Sequence, residues 1–342
     1  MDRQSITNPT VLGGMSANVS PVIADLINAA IDARATLVDL KHETAYRLFN
    51  GFSEGLPTLV LDIYAGALVI HDYAETTNEE QVGLILSVVR DRLPWITSAV
   101  LKPRQSGDAD VRSGRVILGS EADLPRKIRE NGVAYALDLL LNRDASFYID
   151  TRGLRAWAKE NLAGKRVLNT FAYTGSLGVA ARAAPCRQVV ATDLNKRFLN
   201  QAKDSYSLNG FPIQRADFVA GDFFEVVARL KRRNELFDCV FLDPPFYQEG
   251  MKGLINKLRP LVAHEGWLVV VNNALFISGR EHMDMMEGLC GDGYMKVERI
   301  IAVPQDCVGY SANSAMVWPK DPSPFNHPTK IAVLRVTRRA SE

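Results

Sequence analysis

Apolar positions recur along this 342-residue chain with more than one period, and the changes of period predict its organisation. The first 18 residues are polar and contain Gly and Asn, and read as an arm. Ser20 then stands as an N-cap with Pro21 in the first helical position, and Val22, Ile23, Leu26, Ile27, Ala30 and Ile31 follow at helical spacing. Such a stripe packs inward in a plain core-facing helix, and a helix offered to a partner would show the same spacing. Over 44–73 the period shortens. Ala45 to Phe49 is strand-like, the Gly51 to Pro57 run is turn-rich, and Leu59 to Tyr64 and Ala67 to Ile70 read as two strands joined by a tight Ala65-Gly66 turn. A helix is predicted over 79–92, a short strand over 99–102 and an exposed polar loop over 105–114. The segment 36–130 thus reads as a small α+β module behind an arm and helix at 1–35. From Arg166 the pattern becomes strict alternation, with strands over 167–170, 188–192, 217–220, 237–242 and 267–271 and helices over 175–184, 195–209, 222–233 and 250–263. Near-continuous apolar strands between amphipathic helices predict a parallel sheet covered on both faces. The expected class for 131–342 is α/β, doubly wound, with ligands beyond the carboxyl ends of the strands where their order reverses.

Composition narrows the function classes. With 47% hydrophobic and 23% charged residues the chain is ordinary globular material, enough for two cores at roughly 150 residues each. A net charge of +1 excludes a protein that coats nucleic acid by bulk charge and leaves room for a local basic patch. Cys186, Cys239, Cys290 and Cys307 form no C-x-x-C pair and the five His are scattered, so neither a disulfide framework nor a metal site is expected. No apolar run reaches the roughly 18 residues that span a bilayer, and the first residues lack a signal-peptide pattern. A soluble cytoplasmic enzyme with no membrane partner is the expectation.

Candidate chemistry follows the strand ends. After the first strand comes Phe171-Ala172-Tyr173-Thr174-Gly175-Ser176, one glycine opening a helix with hydroxyl residues beside it, which lets a ligand approach main-chain N–H groups. After the second comes Asp193, placed to accept from ribose hydroxyls or to cap the next helix. After the third comes Asp222, again either an acceptor for an adenine amino group or a cap. After the fourth comes Asp243-Pro244-Pro245-Phe246-Tyr247. Two prolines directly after a buried strand make a rigid, donor-free turn that fixes the acid and exposes carbonyls, and an aromatic beside it can stack on a base.

This ordered series resembles the class I S-adenosylmethionine (SAM)-dependent methyltransferases, with their doubly wound, Rossmann-like, seven-stranded domain. The likeness is closer to the 23S rRNA methyltransferases acting on guanine N7 or cytosine C5. It is carried by Ala45-Tyr46-Arg47-Leu48-Phe49, Gly55-Leu56-Pro57 with Val60 to Tyr64, Leu101-Lys102-Pro103-Arg104, Phe147-Tyr148-Ile149-Asp150-Thr151-Arg152, the Asn169 to Ser176 run and Asp243-Pro244-Pro245. The resemblance implies a SAM cofactor. Asp150 and Arg152 would close over its methionine end, with Phe171, Tyr173, Thr174, Gly175 and Ser176 in the first cofactor loop. Asp193 with Leu194 would lie on the ribose side, Asp222 with Phe223 on the adenine side, and Asp243 at the edge of the reaction pocket. It also implies that the small module helps dock RNA and that 23S rRNA is the partner.

The base is less determined. Cytosine-C5 members carry a further N-terminal RNA-binding domain, whereas about 35 residues precede the module here. They also attack the base with a cysteine after the fifth strand, where this chain has Val271-Asn272-Asn273-Ala274-Leu275. An asparagine pair resembles the guanine-N7 relatives, although the basic residues that follow it there are absent. C5 chemistry needs an activated thiolate, for which Cys307 is the only late loop cysteine. Guanine N7 has a free lone pair and needs only in-line placement of the methyl group. The expected catalytic set is therefore Asp243, Pro244, Pro245, Phe246, Asn272 and Asn273, with the asparagines either reading the guanine edge or forming a turn. An exocyclic amine held by Asp243 and the Pro244 carbonyl is a further reading. Lys102, Arg104, Arg126, Lys127 and Arg129 are candidate RNA contacts or a solvated face, and the proline-rich Trp318 to Pro328 run is a candidate lid, with His327 a hydrogen-bonded loop residue rather than a base. A methyltransferase of the same fold acting on a small molecule or protein, and a non-catalytic RNA-binding module, are the rival classes.

Overall fold

A computed structural model describes residues 16–245, 250–310 and 319–338. Helix α1 (Ser16–Ala33) starts before the Ser20–Pro21 pair and carries Pro21 inside it. The proline removes one main-chain donor, and the burial of Ile23, Ile27, Ala30 and Ile31 against a sheet holds the helix regardless. That sheet is built from β1 (Ala45–Asn50), β2 (Leu59–Tyr64), β3 (Ala67–Asp72), β4 (Ser98–Pro103) and β5 (Arg115–Leu118), in that order, with α2 (Gly51–Glu54), α3 (Glu79–Arg92) and α4 (Ala109–Ser113) in its connections. Pairing is antiparallel except between β3 and β4, which α3 joins as a crossover. The turn-rich 51–57 run thus contains a helical turn, ended by Gly55 at φ 100°, where a left-handed C-cap favours glycine. The 105–114 loop contains another, capped by Asp108.

Leu59, Leu61 and Ile63 pack under α1 and α3. Tyr64, Val69 and Val100, on the opposite face, pack against Tyr135 and Phe147 of the remaining chain. A sheet covered on both sides explains why β2 and β3 are buried at every position. A hairpin of β6 (Lys127–Glu130) and β7 (Val133–Ala136) follows, turning on Asn131 and Gly132 at φ 51° and 79°, the backbone that an Asn-Gly pair favours.

The second sheet is formed by β8 (Arg166–Thr170), β9 (Gln188–Asp193), β10 (Phe218–Ala220), β11 (Phe237–Leu242), β12 (Val262–Asn272), β13 (Met295–Ile301) and β14 (Lys330–Val336). Its order is β10-β9-β8-β11-β12-β14-β13. The first five strands are parallel, and β14 is antiparallel to both β12 and β13. Helices α5 (Arg152–Asn161), α6 (Ser176–Ala183) and α7 (Lys196–Leu208) cover one face. Helices α8 (Phe223–Arg232), α9 (Met251–Leu258) and α10 (Gly279–Cys290) cover the other. This is the doubly wound α/β arrangement expected from the alternation. Strand order reverses between β8 and β11, so the crevice lies at their carboxyl ends.

Buried charge joins the two sheets. Arg34 donates to both Glu54 oxygens at 2.9 and 2.8 Å, to the Arg47 carbonyl at 2.6 Å and to the Asp306 carbonyl at 3.0 Å. Asp306 belongs to the short helix α11 (Gln305–Val308), and its Oδ2 accepts from the Arg47 N–H at 2.9 Å. Asn50 Nδ2 donates to the Cys307 carbonyl at 2.7 Å. Gly309 sits at φ 105°, and a Cβ there would fall 2.1 Å from Ser53 Oγ, so the approach of the two parts requires glycine.

Candidate active site

The loop after β8 is held in an unusual backbone. Phe171 and Tyr173 lie at φ 51° and 50°, a conformation that costs energy for non-glycine residues and persists where surroundings fix it. Here the fixing bond is visible: the Tyr173 N–H donates to Asp193 Oδ2 at 2.9 Å, while Oδ1 accepts from the Asn195 N–H at 2.8 Å. Asp193 therefore ties the first loop to the second strand end. Capping of α7 falls to Asn195, which accepts from the Arg197 N–H. Thr174 Oγ1 donates to the Ser146 carbonyl at 2.6 Å. Gly175 lies at φ 78°, and a Cβ there would meet Ala202 Cβ at 2.6 Å; Ser176 then opens α6. Leu194 is 78% exposed beside Asp193. Phe171 and Phe223 stack with centroids 4.8 Å apart. Asp222 caps α8, its Oδ1 accepting from the Phe224 and Glu225 N–H groups at 2.8 and 3.3 Å. The Tyr173–Asp193 bond and the Phe171–Phe223 stack thus draw the ends of β8, β9 and β10 together, while Asp222 is engaged as a cap.

Beyond β11 two carboxylates, Asp243 and Asp150, lie within reach of each other's charge. Asp243, half-buried after β11, is pushed up to about 7, chiefly by burial and then by the negative charge of Asp150. Asp150 accepts from Thr329 Oγ1 at 2.7 Å. Among the described residues no cation pairs with either acid. Like charges left together in low dielectric favour a cationic ligand, and the sulfonium and ammonium groups of SAM supply that charge. The residues thus fit the cofactor. Bound there, SAM would supply an electrophilic methyl group, and Asp243 and Asp150 would hold its cationic end. Pro244 is buried and Pro245 exposed, while Phe246 and Tyr247 lie outside the described residues.

Other expected residues are placed elsewhere. Arg152 binds both Asp306 oxygens at 2.9 and 3.0 Å and donates to the Ala45 carbonyl at 3.0 Å; its charge serves the junction between the sheets. Asn272 is buried, its Oδ1 accepting from the Ala274 N–H at 2.9 Å and its Nδ2 touching His282 Nδ1 at 3.2 Å. It forms the turn after β12 and has no free edge to offer a base, whereas Asn273 is half-buried beside it. Lys102 is fully buried and donates to the Ser113 and Asn142 carbonyls at 2.6 and 2.8 Å; it is a strut and makes no RNA contact. Arg104 is partly buried on Asp144 at 3.1 Å, while Arg126, Lys127 and Arg129 are exposed. Trp318 lies outside the described residues, and the following proline segment is fastened down. Asn326 exchanges two hydrogen bonds with Val303, and Gly279 approaches so closely that a Cβ would sit 1.8 Å from the Pro322 carbonyl oxygen. That packing fastens the candidate lid to Val303 and to the start of α10. His327 Nδ1 accepts from the Thr329 N–H at 3.0 Å, and burial lowers the ring to about 3, which keeps it neutral.

Cys239 and Cys307 are fully buried, and burial pushes both thiols well above the usual range; Cys186 and Cys290 are raised as well, also by burial. Two pocket residues escape sequence reasoning, Thr329 and Asn142. Asn142 accepts from the Tyr173 hydroxyl at 3.1 Å. Neither lies at a parallel strand end, the signal that found the others.

A reversed seven-stranded α/β sheet with an acid after each of β9 and β11 and a glycine-opened helix after β8 defines the class I methyltransferase architecture. Residues 47–281 match the family model for S-adenosylmethionine-dependent methyltransferases, and the chain belongs to that family. It is similar to the ribosomal RNA large subunit methyltransferase I of Photobacterium profundum, 31% identical over 235 residues, 68% of this chain and 59% of that protein. The protein of the same name from Aeromonas salmonicida is 33% identical over 234 residues, 67% of this chain and 58% of its own length. The chain thus spans under two thirds of the length of these relatives. Among solved structures, one from Streptococcus mutans described as a SAM-dependent methyltransferase superposes with a TM-score of 0.79 at 21% identity, covering 95% of this chain and 83% of that one. Among the described residues no helix is long and apolar enough to cross a membrane, and no group of three His, Cys, Asp or Glu could hold a metal ion.

Proposed function

We propose that this protein transfers the methyl group of SAM to a base of large-subunit ribosomal RNA in the cytoplasm, with guanine N7 as the favoured acceptor. In this reading the arm and helix at 1–35 and the module at 36–130 precede a catalytic domain at 131–342, and the module helps receive RNA. The substrate class is supported by the names of the relatives. The carrying observation for the atom is that all four cysteines are described and none presents an ionisable thiol at the Asp243 crevice. Cytosine C5 is a poor nucleophile and requires such a thiolate, whereas N7 requires only orientation and a site that tolerates the departing charge. Asp243, Pro244, Pro245 and Asn273 line the reacting edge in this reading, and Asn272 shapes it through its turn. An exocyclic amine is the second reading, favoured by the raised Asp243 carboxyl, which accepts an amine proton more readily than an ordinary aspartate does.

Transfer from methyl-labelled SAM to unmodified total RNA, followed by digestion to nucleosides and mass spectrometry, tests this. Label in 7-methylguanosine is the expected result. Label in an N-methylated amino group selects the second reading, label in 5-methylcytidine overturns the thiolate argument, and no label in RNA overturns the substrate class.

A further inference from the structure

Tyr148 lies two residues before Asp150, between buried Phe147 and Ile149, yet it remains 38% exposed. Its hydroxyl donates to Asp144 Oδ2 at 3.0 Å. Asp144 is gripped by Arg104 at 3.1 Å and Arg143 at 3.7 Å. The ring leans on Tyr173 at 5.3 Å between centroids, and burial of its hydroxyl, with the negative charge of Asp144 beside it, holds the phenol well above its usual range. An aromatic face open to water and held at its tip is already ordered for a flat ligand, so stacking costs little further entropy. The pattern continues away from the crevice. The Arg104 guanidinium lies 5.7 Å over the Tyr73 ring, and Tyr73 meets Phe52 edge to face at 5.1 Å. Phe52 is 42% exposed on α2, and Arg143 is exposed. Three rings, Phe52, Tyr73 and Tyr148, are thus linked through Arg104 and Asp144 into one seam running from the five-stranded sheet toward Tyr173. The hairpin cations Arg126, Lys127 and Arg129 have no exposed ring among their neighbours in sequence.

We propose that this seam is a track for single-stranded RNA, in which Phe52, Tyr73 and Tyr148 offer stacking faces, exposed Arg143 meets a phosphate, and Arg104, held by Asp144, keeps Tyr73 and Tyr148 in place. A series of aromatic faces with an exposed cation beside it is what a single strand recognises, because every base has a π-face and every linkage a negative charge. Tyr148 is the last stacking face before Asp243 and positions the strand without touching the transferred methyl group. The inference rests on the RNA reading above and adds the route by which the strand enters.

Photo-crosslinking tests it with the full chain, SAM and a single-stranded oligonucleotide carrying 5-bromouridine, the crosslinked peptides being mapped by mass spectrometry. Adducts are expected on the peptides holding Phe52, Tyr73 or Tyr148. Adducts confined to α8, where Lys257 lies 5.6 Å over the half-exposed Phe224 ring, overturn the track. In kinetics, Tyr148→Ala and Phe52→Ala should each raise KM for RNA about tenfold, with the Kd for SAM unchanged by calorimetry and Tyr148→Phe close to the unsubstituted protein. Unaltered KM in Tyr148→Ala and Phe52→Ala proteins that keep the parent melting temperature sinks the track while leaving RNA methylation standing. No RNA methylation by the unsubstituted protein removes the substrate reading and the track with it.

Discussion

If Asp243 and Asp150 hold the cationic end of SAM, as proposed, cofactor binding depends on pH in a definite direction. The Asp243 carboxyl is raised to about 7, so protons bind it more tightly in the folded chain than in the unfolded one. Its contribution to stability in the free protein therefore falls as pH rises from about 4 through 7. A cationic ligand prefers the carboxylate, so SAM affinity should weaken as pH drops below 7, by no more than about tenfold per unit. Calorimetry at pH 6 and pH 8 should show this, and Asp243→Asn should abolish both the pH dependence and most of the transfer rate. Gly175 makes a different residue-scale demand: Gly175→Ala puts a methyl group 2.6 Å from Ala202 Cβ at positive φ. We expect a loss of about 1–3 kcal/mol in thermal or urea unfolding. Cys307→Ser should leave methyl transfer to RNA within about threefold, since an N7 reaction uses no nucleophilic thiol; loss of activity in a folded variant would restore the C5 mechanism.

Between elements, the short helix α11 is a polar clasp. Arg34 just after α1, Arg47 from β1 and Arg152 from α5 all bond to Asp306, by carbonyl or carboxylate. Arg34→Ala would leave Glu54 buried without its cation, which typically costs about 3–5 kcal/mol. The expected readout is a lowered melting temperature, with SAM affinity per folded molecule unchanged. The same clasp shows why some of the site was legible in the sequence and some was not. Asp193, Asp222 and Asp243 stand directly after apolar runs, so strand periodicity alone locates them at one edge. Arg152 stands in an equally suggestive motif, but its partner Asp306 is 154 positions away, a distance at which no local pattern operates. Lys102 is misleading for a similar reason, since its partners are main-chain carbonyls and any residue supplies those. Helix α3 was legible in full, its 79–92 period matching Glu79–Arg92, and the structure adds the Asn78 cap. The β6–β7 hairpin was missed because strands of four residues each leave little periodicity; its Asn131-Gly132 turn was the signal available.

At the scale of the whole molecule, near-neutral net charge and a localised cation row make a combined prediction. RNA affinity should fall with salt, but with a slope corresponding to about two to three neutralised phosphates, well short of that of a protein that binds by bulk charge. Filter binding between 50 and 200 mM salt would measure it, and Arg143→Gln should reduce the slope by about one. A slope near zero would mean that binding, where present, is stacking alone.

Strand β14 bears on the order in which the molecule can be made. Among the described residues it is the last strand, yet it lies inside the sheet, bonded to β12 on one side and β13 on the other, and Thr329 beside it supplies the bond to Asp150. During synthesis β12 and β13 emerge first and must wait with open edges, so the sheet closes and the crevice acquires its last wall only after residue 336 has been added. A nascent chain stopped before Lys330 has no route to a finished pocket, which keeps the cofactor site from forming on partly made protein and makes those two waiting edges its period of greatest aggregation risk.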